Sequence, residues 1–212
     1  MKVPVQDAPA QDVLQRLVAS ALAGFAEKGF EGFSLDPIRT QAGRTRGVPE
    51  GPFADREALY RECFLYLFRR YPGLGRSPSP GYLPFGEDPA RAVLALRSAL
   101  RRVMRELFRD AGDPLGEACV RLLGRELMDP HASVQALILE RMAGFFQVLR
   151  TSIGCLRPGL AAAEMAFLEW WVLDQCLLHR LGTECGGPLP HAAYADRISG
   201  RVVRGLGPGG WI

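Results

Sequence analysis

The chain has 212 residues, about half of them apolar, and a formal net charge of +3. That is enough chain for one large domain or two small ones, and enough apolar material for a packed core. The net charge is too small to mark a polyanion partner by itself, no apolar run reaches the length of a membrane span, and no apolar signal core opens the chain, so a cytoplasmic, membrane-free protein is expected.

Apolar residues at Leu14, Leu17, Val18, Ala21, Leu22 and Phe25 follow the spacing of one helical face. Gly29 ends that helix by tolerating a left-handed backbone, and Phe30 and Phe33 return to the core. Ser34 fits as N-cap of a short second helix through about Gln41, with Pro37 in its first turn, where the amides have no intrahelical acceptor. Ala42-Gly43 reads as a turn. The stretch from Arg39 to Phe53 follows, with three arginines and no acid in its first eight residues. Pro49, Gly51 and Pro52 then argue against a regular helix from Arg46 to Phe53, since an interior proline costs about 3 kcal/mol and a glycine about 1. A third helix, N-capped by Asp55, runs to about Tyr71 through Ala58, Leu59, Cys63, Leu65, Tyr66 and Phe68.

From Pro72 to Pro89 proline and glycine break any regular element. This gives a division into residues 1–71, a linker 72–88, and residues 89–212. The second part opens with a helix from about Pro89 to Asp110, with Val93, Leu96, Leu100, Val103 and Leu107 as its stripe. Its many arginines read first as a solvated face. A shorter helix over about Asp113 to Leu127 follows. Asp129-Pro130 then starts a long helix, with Val134, Ile138, Met142, Phe145, Leu149 and Ile153 along one side. Residues 160–181 are apolar round most of the circumference, the pattern of a helix that is central or buries a second face against a partner. A last helix covers about 191–206, before a glycine-rich tail. No strand pattern and no repeat appears.

At this point Ala23-Gly24-Phe25-Ala26-Glu27-Lys28-Gly29-Phe30-Glu31-Gly32, then Ser34, Ile38, Ala42-Gly43, Gly47, Phe53 and Glu57-Ala58-Leu59-Tyr60, resemble the TetR-type transcriptional regulators, in that family's order and without gaps. Glu126-Leu127-Met128-Asp129-Pro130 and Gln175-Cys176-Leu177-Leu178-His179-Arg180-Leu181 are similar to the subgroup with a CecR-like C-terminal domain. The resemblance implies an all-α protein of about nine helices: a three-helix, DNA-binding helix-turn-helix module and a C-terminal helical domain for effector binding and dimerisation. It also implies a homodimer through helices about 160–181 and 191–206, and a small-molecule effector, in a transcriptional repressor. The chain departs from the family at Arg39, usually alanine, at Arg44, usually valine, and over Val48, Pro49, Glu50, Gly51 and Pro52, where the DNA-reading helix should run. The alternative is a helical binding or interaction protein on this fold that has lost sequence-specific DNA recognition.

Arg44, Thr45 and Arg46 fit phosphate and base contacts at a helix N-terminus; they fit equally an arginine-rich loop with no specific target. Lys28, Arg39, Thr40, Gln41 and Arg56 could add phosphate contacts, or be ordinary surface residues. Trp171, Gln175 and His179 are four apart and share a helical face. That face could line a ligand cavity with two hydrogen-bonding groups, or lie in the dimer interface. Met142, Phe145, Phe146 and Leu149 could wall the same cavity, with core packing the plainer reading. Five widely spaced cysteines, Cys63, Cys119, Cys155, Cys176 and Cys185, make neither a disulfide framework nor a zinc site. His131, His179 and His191 lie far apart without a nucleophile motif, so neither catalysis nor a metal or other cofactor is expected.

Overall fold

The computed structural model describes residues 8–44, 49, 51–75, 88–182 and 191–205, and within the helices some side chains, His179 among them, lie outside the description. Among the described residues the chain is all-α: α1 (Ala8–Gly32), α2 (Asp36–Gly43), α3 (Arg56–Arg70), α4 (Pro89–Phe108), α5 (Pro114–Met128), α6 (Ala132–Arg141), α7 (Ala143–Leu156), α8 (Ala162–Gly182) and α9 (His191–Gly205). Single 3-10 turns stand at Gly51–Phe53 and Pro72–Leu74. No described helix is long and apolar enough to cross a membrane. Cys185, most of the 72–88 linker and the glycine-rich tail beyond Gly205 fall outside the described residues.

The chain forms two compact units, one of Met1–Arg70 with Gly112–Ile138, the other of Tyr71–Ala111 with Leu139–Ile212. They do not simply part at 72–88: α5 and most of α6 return to the N-terminal helices.

In the first unit α1 packs on α3 and α5, and α2 lies against α1. Leu17, Val18, Ala21, Leu22 and Phe25 are buried, as their spacing requires. The regular helix breaks at Gly29, whose φ of 76° and ψ of 177° belong to a region open essentially to glycine alone. Breaking there leaves carbonyls without intrahelical donors. Arg125 of α5 supplies them, donating from Nε to the Ala26 carbonyl at 2.8 Å and from Nη2 to that of Glu27 at 2.9 Å. Beyond the break Phe33 folds onto Phe25, with ring centroids 4.4 Å apart, and Phe25 meets Tyr60 at 4.9 Å. Gly29→Ala should therefore destabilise this unit by about 1–3 kcal/mol through backbone strain alone. A Cβ there has only the far end of Arg125 near it, at 3.5 Å. Chemical denaturation of the variant against wild type measures the loss.

Ser34 is not the cap of α2. Leu35 occupies the N-cap position with helical φ and ψ, and no side chain caps the helix. Pro37 sits in the first turn as expected, and Ala42-Gly43 is the helix's last turn rather than a loop. Asp55 does cap α3, accepting from the Ala58 amide at 2.7 Å.

A polar cluster lies inside this unit. The Tyr60 hydroxyl of α3 donates to Glu126 Oε1, and Glu126 Oε2 accepts from the His131 amide at 2.8 Å. Tyr60 and Glu126 are 2% and 4% exposed, so neither has water as an alternative partner. The His131 ring packs against Phe30, tilted by 36° with centroids 4.0 Å apart. The His131 carbonyl takes the first amide bonds of α6, from Val134 and Gln135. Asp129 does not start that helix: it is the C-cap of α5.

In the second unit α4 packs on α7, α8 and α9. Asp88 caps it through the amides of Ala90 and Arg91. Several of the α4 arginines are engaged: Arg101 makes a two-pronged bond to Asp196 of α9, at 3.0 and 2.7 Å, with Arg97 alongside. Arg101's hydrogen bond is the chief cause holding the Asp196 carboxyl below its ordinary pKa. Arg180 of α8 is 3% exposed; its Nε donates to the Leu107 carbonyl in the last turn of α4, where a cation is favoured by the helix dipole. Arg150 of α7 grips the buried Glu169 of α8 at 2.7 and 2.8 Å.

The single long helix expected after Asp129 is two helices. The break is at Met142 (φ −101°, ψ 10°), directly after Arg141, whose backbone carbonyl lies against Gly75. The apolar stripe continues across it, and Val134, Ile138, Met142, Phe145, Leu149 and Ile153 are all buried.

Candidate nucleic-acid interface and effector site

α2 is one-sided. Ile38 and Ala42, one turn apart, are buried, while Arg39, Thr40, Gln41 and Arg44 are exposed. Arg39 causes no packing conflict, because the buried stripe runs through Ile38 and Ala42 and leaves residue 39 to solvent. Arg44 follows as the C-cap. Lys28 is exposed beside the Gly29 break. Exposed cations therefore stand on α2 and near the end of regular α1, where flexible side chains can neutralise phosphates.

The other two polar candidates are engaged within the chain. Arg56 is half-buried; its Nη1 donates to Glu31 Oε2 at 2.8 Å and its guanidinium lies 5.6 Å from the Phe30 ring centroid. It fastens the segment after Gly29 to α3, so a phosphate would have to compete for it. Gln41 also has an interaction within the chain. Thr45 and Arg46 lie outside the described residues, as do Gly47, Val48 and Glu50.

Where the second half of a DNA-reading helix would run, Pro49 is not helical and Gly51–Phe53 form a 3-10 turn. The turn is packed on α2 and α3, with Phe53 4% exposed and α3 starting at Arg56. The proline and glycine pattern had this consequence: the fixed φ and missing amide of Pro52 suit one tight turn, not a continuing helix.

No protein-family model and no curated protein matches the chain. Among solved structures it is similar to an alanine-substituted mutant of HlyIIR, a TetR-family regulator. The TM-score is 0.57 at 17% identity, over 90% of this chain and 95% of that one. The fold is TetR-like. At that identity the likeness is one of fold.

In the second unit Met142, Phe145, Phe146 and Leu149 are buried. Of these, Phe146 of α7 meets Trp170 of α8, with ring centroids 5.0 Å apart. Trp171 and Gln175 are half-buried on the flank of α8; His179 continues their row along the backbone, but its side chain is outside the described residues. The buried side of α8 carries Val172, Leu173, Cys176 and Leu177. Burial pushes the Cys176 thiol up to about 12 and raises that of Cys63 as well, so both stay protonated and unreactive. Among the described residues no cluster of His, Cys, Asp or Glu could hold a metal.

Sequence reasoning missed Arg125, Tyr60 and Arg180 as structural polar groups. One signal was available: Glu126 shares the helical phase of Cys119, Leu122 and Leu123, and Arg180 that of Leu173, Cys176 and Leu177. An ionisable residue at a core phase must find a partner inside.

Proposed function

We propose that the chain is a homodimeric, effector-responsive transcriptional repressor of the TetR type with a CecR-like C-terminal half. It acts in the cytoplasm on operator DNA through residues 1–71. The observation that carries this reading is the one-sided α2 on a TetR-like fold, with Arg39, Thr40 and Arg44 exposed over a buried Ile38–Ala42 base. Lys28, Arg39, Thr40 and Arg44 contact phosphates, with Gln41 and Arg56 as lesser contributors, and Thr45 and Arg46 reach base edges or phosphates. An apolar effector held by Met142, Phe145, Phe146, Leu149 and Trp171, with Gln175 and His179 as hydrogen-bonding groups, binds one conformational population better and so changes DNA affinity. Dimerisation uses α8 and α9. Phe167 and Leu178 on α8 are 67% and 51% exposed, and a second copy would cover them.

A second reading is favoured by the 3-10 turn at Gly51–Phe53. It takes the chain as a TetR-like binding protein that no longer reads a DNA sequence. Capture of sheared genomic DNA by the purified protein separates the two. The repressor reading expects a few enriched fragments sharing a short palindrome. Arg39→Ala or Arg44→Ala should then weaken binding and lower the log–log salt slope by about one each. Uniform retention of all fragments supports the second reading.

A further inference from the structure

Phe167 and Leu178 are the large apolar side chains exposed on α8, and Glu164, exposed in its first turn, is occupied by the Ala161 amide. Phe167, Asp174 and Leu178 are spaced by seven and four residues and share one face, opposite the buried Val172, Leu173 and Cys176. Asp174 is half-buried, and among the described residues it has no hydrogen bond or ion pair within the chain. Burial raises its carboxyl above the usual range, the sign of a charge that has lost water without gaining a cation.

α9 has the complementary feature. Arg197, Arg201 and Arg204 share one exposed face at a spacing of four and three, and also have no partner among the described residues. That face is about a quarter turn from Asp196, which is held by Arg101 and Arg97 of α4.

We propose that Asp174 forms an ion pair with an arginine of the α9 row in a second copy of this chain. The pairing rests on the dimer reading above and adds to it the group that fixes how the copies are matched. A second copy fits because a two-fold interface is self-complementary: the acid on α8 of one copy meets the base on α9 of the other, and the reverse pair forms at the same time. Apolar contacts alone would hold the copies without fixing their register; one half-buried charge between Phe167 and Leu178 must be matched or it opposes association.

Sedimentation equilibrium of the full chain tests this, with circular dichroism confirming that each variant is folded. Wild type should be dimeric, with a dissociation constant that rises with salt. Asp174→Asn should raise that constant about tenfold or more and remove much of the salt dependence. Asp174→Arg should separate the copies further, and one of Arg197→Asp, Arg201→Asp or Arg204→Asp should restore the dimer in that background. A dimer unchanged or tightened by Asp174→Asn overturns the pairing while leaving the dimer in place, and so does failure of all three reversals. Phe167→Ser with Leu178→Ser reports on the dimer reading separately: it should yield monomers, and a wild type already monomeric overturns that reading and the pairing with it.

Discussion

Gly75→Ala should unfold or severely loosen the second unit. A Cβ at this position would stand 1.8 Å from the backbone carbonyl oxygen of Arg141. No rotamer change relieves such a clash, because both groups are backbone; either the turn or the α6–α7 junction must move. Both are fixed by their surroundings. Tyr71 and Leu74 are 3% and 1% exposed, the Tyr71 hydroxyl donates to Asp110 at 3.1 Å, and the Gly73 amide donates to Glu106 at 3.3 Å. The expected loss is about 3 kcal/mol or more, at the upper end of overpacking effects. Trp170, Trp171 and Trp211, the chain's three tryptophans, all lie in the second unit's share of the sequence. Tryptophan emission during denaturant unfolding therefore reports on this unit. A midpoint within error of wild type would show that the junction accommodates the methyl group.

The next largest effect is expected at Glu126. Glu126→Ala strips the acceptor from two groups at once, the buried Tyr60 hydroxyl and the His131 amide that opens α6. Each donor left unsatisfied costs about 1–3 kcal/mol, so for the two a loss of about 2–6 kcal/mol is expected in the first unit. That unit's segments contain no tryptophan, so amide exchange in α3 and α5 is the suitable measure. Glu126→Gln gives a different, pH-dependent result. Burial is the main cause raising the Glu126 carboxyl, with the bonds from Tyr60 and His131 opposing it. A carboxyl raised by folding binds its proton more tightly folded than unfolded. Its contribution to stability is therefore complete below the ordinary glutamate range and is lost as pH rises through the raised value. The glutamine variant lacks this slope, so wild type should lose stability relative to it as pH climbs out of the acid range. Parallel curves for the two proteins would show that Glu126 does not carry that slope.

The helices were legible because apolar residues recur at helical spacing, and helix-stopping residues such as Gly29 act locally. The absence of a regular helix over Gly51–Phe53 was legible for the same reason, since proline and glycine restrict their own segment. What escaped depends on contacts between distant segments. The break at Met142 is invisible in a stripe that runs unbroken from Val134 to Ile153; it falls beside the Gly75 turn from an earlier part of the chain. The return of α5 to the N-terminal helices depends on Arg125 capping carbonyls of α1 and on Glu126 meeting Tyr60, partners that spacing within one helix cannot name. At the candidate interface the cations of α2 were readable singly, but the engagement of Arg56 with Glu31 and Phe30 was not, because it depends on the chain turning back after Gly29.

The central proposal is that this chain recognises a DNA sequence although Pro49 is not helical and Gly51–Phe53 form a 3-10 turn where a reading helix would run. Its most direct test is the affinity of the purified protein for its most enriched genomic duplex and for a shuffled duplex of equal composition, measured by fluorescence anisotropy across a series of salt concentrations. The repressor account predicts a preference of about a thousandfold or more that persists as salt rises, and its reduction by Arg44→Ala. Equal affinity for the two duplexes, falling together as salt is added, would contradict it.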